Sequence, residues 1–265
     1  MKTDGIRKLR IGTQDVAVLV EGPEDAPPVV LAHGIQADHR VWDGVAQRLA
    51  PRYRVIRYDL RGHGGSSAPP APYTLEQLAD DVPALLDALG VRKAHLVGTS
   101  LGGMLAQQVG IRHRDRLLSL TIANTAAVQG AAKAWDERIA LARQSGIAPL
   151  IEPTLQRWFT PGFLQQRQKE VARIRSIIEG TSIEGFVGCA AAVRDLSQLE
   201  QLKSIRVPTL VIVGSEDKGT PPELGRQIAD AIPGAQLVVL PAAHQAAVEV
   251  PQAFADAWLQ FADRL

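Results

Sequence analysis

The sequence predicts an α/β protein: a mostly parallel, twisted sheet with helices on both faces and a helical cap inserted into it. Three observations carry this expectation. Short apolar runs bounded by Gly, Pro or Asp recur along the chain, as strands buried on both faces require. Helical patterns alternate with them, which winds a parallel sheet through right-handed crossovers. The alternation lapses between about Ala126 and Ser204, where helix formers dominate and no strand pattern stands out.

Within residues 8–20, β-branched residues alternate about the turn pair Gly12 and Thr13, so two short antiparallel strands are expected at a sheet edge. Apolar runs follow at residues 29–32 and 55–58. Thr74 and Gln77 have the spacing of a capping box. The helix they open sets Leu75, Leu78, Val82, Leu85, Leu86 and Leu89 on one face before Gly90 ends it. Strands at residues 95–97 and 118–123 flank a helix expected from Met104 to about Arg112. After the cap, Val207 and Pro208 introduce a strand at residues 210–213, and the last strand covers residues 237–240. The expected core thus comprises residues 1–125 and 205–265, with the cap at residues 126–204.

Composition narrows the function classes. With 46% apolar and 22% charged residues over 265 positions, the chain has enough apolar material for one large domain and lacks the signature of disorder. The net charge is only +1, and lysines and arginines are scattered among acids, which argues against nucleic acid as a partner. No apolar segment follows the charged start at residues 1–10, and no run has the length to span a bilayer, so no membrane association is expected. With Cys189 as the single cysteine, no intrachain disulfide can form, and a cytoplasmic protein is expected, with a small-molecule substrate and room for a homo-oligomer.

The chemistry centres on Gly98-Thr99-Ser100-Leu101-Gly102-Gly103, which lies between an expected strand and an expected helix. A G-x-S-x-G in that context is a nucleophile elbow: the turn is too tight for side chains at Gly98 and Gly102, and it lifts the Ser100 hydroxyl above the sheet. A hydroxyl needs a base to take its proton, and the base needs a third group to fix its tautomer. In the chain order serine, acid, histidine, Asp217 follows the strand at residues 210–213 and His244 follows the last strand, both at C-terminal strand ends where such sheets gather their sites. Glu216 is the nearest competitor for the acid. The Leu101 N–H and the Ile35 N–H, on the loop His33-Gly34-Ile35, are the expected oxyanion donors. His33 is read as structural. His39, His63, His95 and His113 show no metal-ligand spacing, so no metal is expected. The Gly-rich stretch at residues 61–66 lacks the lysine of a phosphate loop and reads as a tight turn.

His33-Gly34, the stretch from Asp59 to Ser66, the elbow, Gly214-Ser215-Glu216-Asp217, and His244 with Glu249 and Pro251 together resemble the α/β-hydrolase family over nearly the whole chain. Within it the chain looks like the 3-oxoadipate enol-lactonases. The residues that carry this are Asn124-Thr125-Ala126-Ala127, Trp135 with Arg138 and Ile139, the stretch from Gly188 to Arg194, and Asp217 followed by Thr220-Pro221-Pro222. His33-Gly34 and Leu101 stand where those enzymes often carry Ser-Asn and Met. The resemblance implies hydrolysis of a small carboxylated enol-lactone through an acyl-enzyme on Ser100, with no cofactor.

Trp135 and Arg138 are three apart and share a helix face, so they can offer an apolar wall beside a cation, with Arg194 as a second cation. The alternative pairs Arg138 with Asp136 or Glu137 in solvent. Cys189 reads as small-residue packing. The same triad also suits a carboxylesterase, a carbon–carbon bond hydrolase or a cofactor-free perhydrolase, whereas haloalkane dehalogenation would need an aspartate at position 100. A ligand-binding receptor on the same fold is the rival of another class.

Overall fold

The computed structural model describes residues 5–265; Met1 to Asp4, the start of the charged N-terminal segment, lie outside the described residues. The first two strands, β1 (Arg7–Ile11) and β2 (Gln14–Glu21), pair antiparallel around Gly12, whose φ of 56° suits the tight connection. There follow β3 (Pro28–Ala32), α1 (Asp43–Leu49), β4 (Arg54–Tyr58), α2 (Leu75–Ala88), β5 (Ala94–Thr99), α3 (Leu101–Arg112) and β6 (Leu117–Ala123). Five helices come next: α4 (Ala132–Ser145), α5 (Ala148–Trp158), α6 (Pro161–Gln166), α7 (Gln168–Glu179) and α8 (Ile183–Arg194). The chain closes with β7 (Thr209–Gly214), α9 (Pro222–Ala231), β8 (Gln236–Leu240), α10 (Ala246–Glu249) and α11 (Pro251–Ala262).

All eight strands join one sheet in the order β1-β2-β4-β3-β5-β6-β7-β8. The pairs β1/β2 and β2/β4 are antiparallel, and every later pair is parallel. Every residue of β5 and β7 is buried, so helices cover both faces there, and this is why these strands read as unbroken apolar runs. At the far edge β8 leaves Gln236 and Val239 exposed.

α2 opens with the capping box formed by Thr74 and Gln77, and it buries Leu75, Leu78, Val82, Leu85 and Leu86. α3 begins three residues before the expected Met104, because the Met104 N–H already bonds to the Ser100 carbonyl at 3.0 Å. Between β6 and β7 the chain is helical, and its two ends are stitched together where the Gln198 N–H bonds to Ala127 O and the Gln129 N–H to Leu196 O. In α4 only Ala142 is buried. Cys189 is buried in α8, where burial pushes its thiol pKa up and keeps it un-ionised. Among the described residues no single helix is long and apolar enough to cross a membrane.

Candidate active site

β5 ends in a turn that the residues at either side make possible. Ser100 has φ 56° and ψ −120°, a strained backbone that the close-packed glycines permit. A Cβ on Gly98 would lie 2.0 Å from the Gly102 carbonyl oxygen, and one on Gly102 would lie 2.1 Å from that of Ala32. The turn is locked from outside as well: the Ser100 N–H donates to Ala123 O at 2.9 Å, and the Thr125 hydroxyl donates to Ser100 O at 2.7 Å.

The Ser100 Oγ lies 3.0 Å from His244 Nε2, and His244 Nδ1 lies 2.8 Å from Asp217 Oδ2. Since Asp217 accepts the Nδ1 proton, Nε2 is left as the acceptor for the Ser100 hydroxyl. Asp217 is itself held by the N–H groups of Gly219 and Thr220, each at 2.8 Å, by the Thr220 hydroxyl at 2.8 Å and by Asn124 Nδ2 at 3.2 Å. Burial alone would raise its pKa, but the charge and hydrogen bond of His244, with those from Thr220, outweigh it and hold Asp217 below the usual carboxylate range. Glu216, the competitor in sequence, is exposed.

The His244 loop is tied to the inserted helices. Glu249 accepts from the Ala243 N–H at 2.9 Å and from the Thr160 N–H and hydroxyl at the start of α6. The Gln245 N–H donates to Trp158 O at 3.0 Å.

Leu101 is the first residue of α3, so its N–H has no partner inside the helix, and the Ile35 N–H has no protein acceptor among the described residues. Two buried histidines shape the Ile35 loop. His33 donates from Nδ1 to Gly34 O at 2.7 Å and accepts the Leu60 N–H at 2.9 Å. His63 donates from Nδ1 to Arg61 O at 2.9 Å and accepts the Gln36 N–H at 3.0 Å. Burial, then His33, pushes His63 down to about 4. Asp38, His39 and Asp59 bring ligand-type atoms together, but Arg40 engages Asp38 and the His39 N–H groups engage Asp59.

A cavity of about 550 Å³ opens over Ser100 and His244 and is lined by Ile35, Trp135 and Arg138, among others. The Arg138 guanidinium lies 4.0 Å from the Trp135 ring centre and 5.6 Å from that of Phe186. It donates to Gln36 Oε1 at 3.1 Å and forms no ion pair among the described residues, so pairing with Asp136 or Glu137 is ruled out. Burial, and then Arg157, lower its pKa to about 9. Arg194 requires correction: it pairs with Asp136 at 3.0 Å and Asp195 at 2.7 Å, away from the cavity. The reason is helical register. Val193 faces the cavity, and the next residue of α8 is turned about 100° away. The second guanidinium of the cavity is Arg157 of α5, which sequence reasoning missed. A readable signal was present, because Arg157 falls on the stripe that buries Leu150, Thr154 and Trp158.

Comparison with known proteins identifies the fold and the family. A family model described as alpha/beta hydrolase fold matches residues 27–250. The chain is 37% identical to 3-oxoadipate enol-lactonase 2 of Acinetobacter baylyi over 243 residues, 91% of each protein. A hydrolase from Pseudomonas aeruginosa PA01 superposes with a TM-score of 0.95 at 41% identity, over 98% of both chains. The enol-lactonase from Burkholderia xenovorans LB400 gives a TM-score of 0.95 at 34% identity, covering 97% of this chain and 100% of that one. With the sheet order, the serine elbow and the extent of these matches in agreement, the chain belongs to the α/β-hydrolase family.

Proposed function

We propose that this hydrolase opens a small carboxylated enol-lactone of the 3-oxoadipate enol-lactone type through an acyl-enzyme on Ser100. The observation that carries the reading is Arg138: a guanidinium without a carboxylate partner among the described residues, stacked on Trp135 in the cavity that contains Ser100. The similarity to enol-lactonases at 34–37% identity supports it. Ser100 Oγ attacks the lactone carbonyl as its proton passes to His244 Nε2, and Asp217 stabilises the imidazolium. The tetrahedral oxyanion is held by the Ile35 and Leu101 N–H groups. Its collapse breaks the ring C–O bond; the enol oxygen leaves with the proton from His244, and the enol becomes a ketone. Water then attacks the ester carbonyl with His244 as base, releasing the keto acid and restoring Ser100.

A carboxylate leaving water for a largely apolar cavity needs a partner, and a guanidinium supplies two parallel hydrogen bonds. Arg138→Ala is therefore expected to lower kcat/KM on the anionic lactone by about 2–4 kcal/mol of transition-state stabilisation, with little change on a neutral aryl ester. Equal loss on both substrates assigns Arg138 a structural role. No loss on either removes the main physical support for the enol-lactonase reading.

A further inference from the structure

Arg138 is not the sole cation without a counter-ion in the cavity. Arg157 also lines it and likewise forms no ion pair among the described residues, and burial lowers its pKa. The two guanidiniums are linked through one platform. Arg157 Nη2 donates to the Thr154 hydroxyl at 3.2 Å, that hydroxyl donates to Gln36 Oε1 at 3.1 Å, and Arg138 Nη2 donates to the same oxygen at 3.1 Å.

This fixes the Gln36 amide. Its oxygen accepts two hydrogen bonds, so its Nε2 points the other way, and Nε2 is buried with no acceptor. Arg138 Nε is also buried with no acceptor. Gln36 is fully buried at the cavity wall with φ 60°, and its N–H is pinned by His63. A guanidinium is a cation that only donates hydrogen bonds, so each arginine brings positive charge to the cavity wall. The two guanidiniums line the cavity with no counter-ion among the described residues, and a ligand group that accepts hydrogen bonds and carries negative charge answers both.

We propose that Arg138 and Arg157, linked through Gln36 and Thr154, form one subsite that clamps the carboxylate of the ligand, with Arg157 as a second, specificity-determining cation. This rests on the reading of the cavity as the site of a carboxylated substrate. The division of labour follows from the contacts: the Arg138 guanidinium lies over the Trp135 ring, 4.0 Å from its centre, while Arg157 reaches the cavity from α5 and adds a second charge. The subsite takes planar carboxylates and discriminates against the isosteric amide, whose N–H groups would face donors.

The test is calorimetric binding of 2-furylacetate, a ring acid that cannot be acylated onto serine, with 2-furylacetamide as the neutral control. Wild-type protein is expected to bind the acid and to reject the amide. Arg157→Met is expected to weaken acid binding roughly 10- to 100-fold. Arg157→Lys, which keeps the charge and loses the fork, is expected to fall between the two and carries the test if the Met variant does not fold. Acid binding as tight as wild type in Arg157→Met, or in Arg157→Lys if only that variant folds, overturns the proposal, as does a wild type that does not distinguish acid from amide. If the acid binds as described while the enol-lactone is not turned over, the subsite stands and the proposed reaction falls.

Discussion

Glu216 and Asp217 are neighbours on the loop after β7, yet one carboxylate is in solvent and the other is almost fully buried beneath His244. Asp217 accepts from His244 Nδ1, from two backbone N–H groups, from the Thr220 hydroxyl and from Asn124. Replacing it by asparagine presents an amide donor where acceptors are required and favours the wrong imidazole tautomer. Asp217→Asn is expected to lower kcat by about 10⁴-fold while Glu216→Gln leaves it close to wild type. The ranking, read from initial rates on one ester substrate, is the decisive outcome; the reverse order would move the acid by one residue. Arg194 gives the same lesson in the other direction. Its residue type suits an anion site, but two aspartates hold it outside the cavity.

The elbow between β5 and α3 is an element-scale device, since a strained serine is tolerable only if its neighbours are small and the strand and helix on either side are fixed. Gly98→Ala places a methyl against the Gly102 carbonyl, which is backbone and cannot swing aside. The variant is expected to lose at least about 1–3 kcal/mol of stability, measured by urea unfolding, and most of its activity. A variant as stable and active as wild type would show that the turn relaxes without cost. α5 works at the same scale. Its stripe brings Arg157 and Trp158 to the cavity wall, and the carbonyl of Trp158, its last residue, accepts the Gln245 N–H and so braces the His244 loop.

At the scale of the whole molecule, burial of histidines links stability to pH. Burial pushes His63 and His95 down to about 4, against 6.5 for the exposed group. Between these values the unfolded chain binds protons that the folded chain refuses. The contribution is therefore complete above pH 6.5 and is lost as pH falls toward 4, by up to roughly 1.4 kcal/mol per pH unit for each histidine. Urea midpoints measured from about pH 7 to about pH 4.5 are expected to fall steadily, and a flat profile would contradict it. Protonating His63 also removes the acceptor of the Gln36 N–H, so the loop carrying Ile35 should loosen in the same range. The strands, the capping box and the serine elbow were legible in the sequence because each is a local pattern: buried runs, a three-residue spacing, glycines that exclude side chains. Chain order and strand ends were enough to name Ser100, Asp217 and His244 for one site. Which cations reach the cavity was not legible. Val193 and Arg194 differ by one step of helical register, and Arg157 meets Arg138 through Thr154 and Gln36 from segments far apart in the chain. Sequence thus determined what is set by neighbours along the chain, and the tertiary structure decided what depends on which helix face meets the cavity, because burial and pairing are properties of the packed chain.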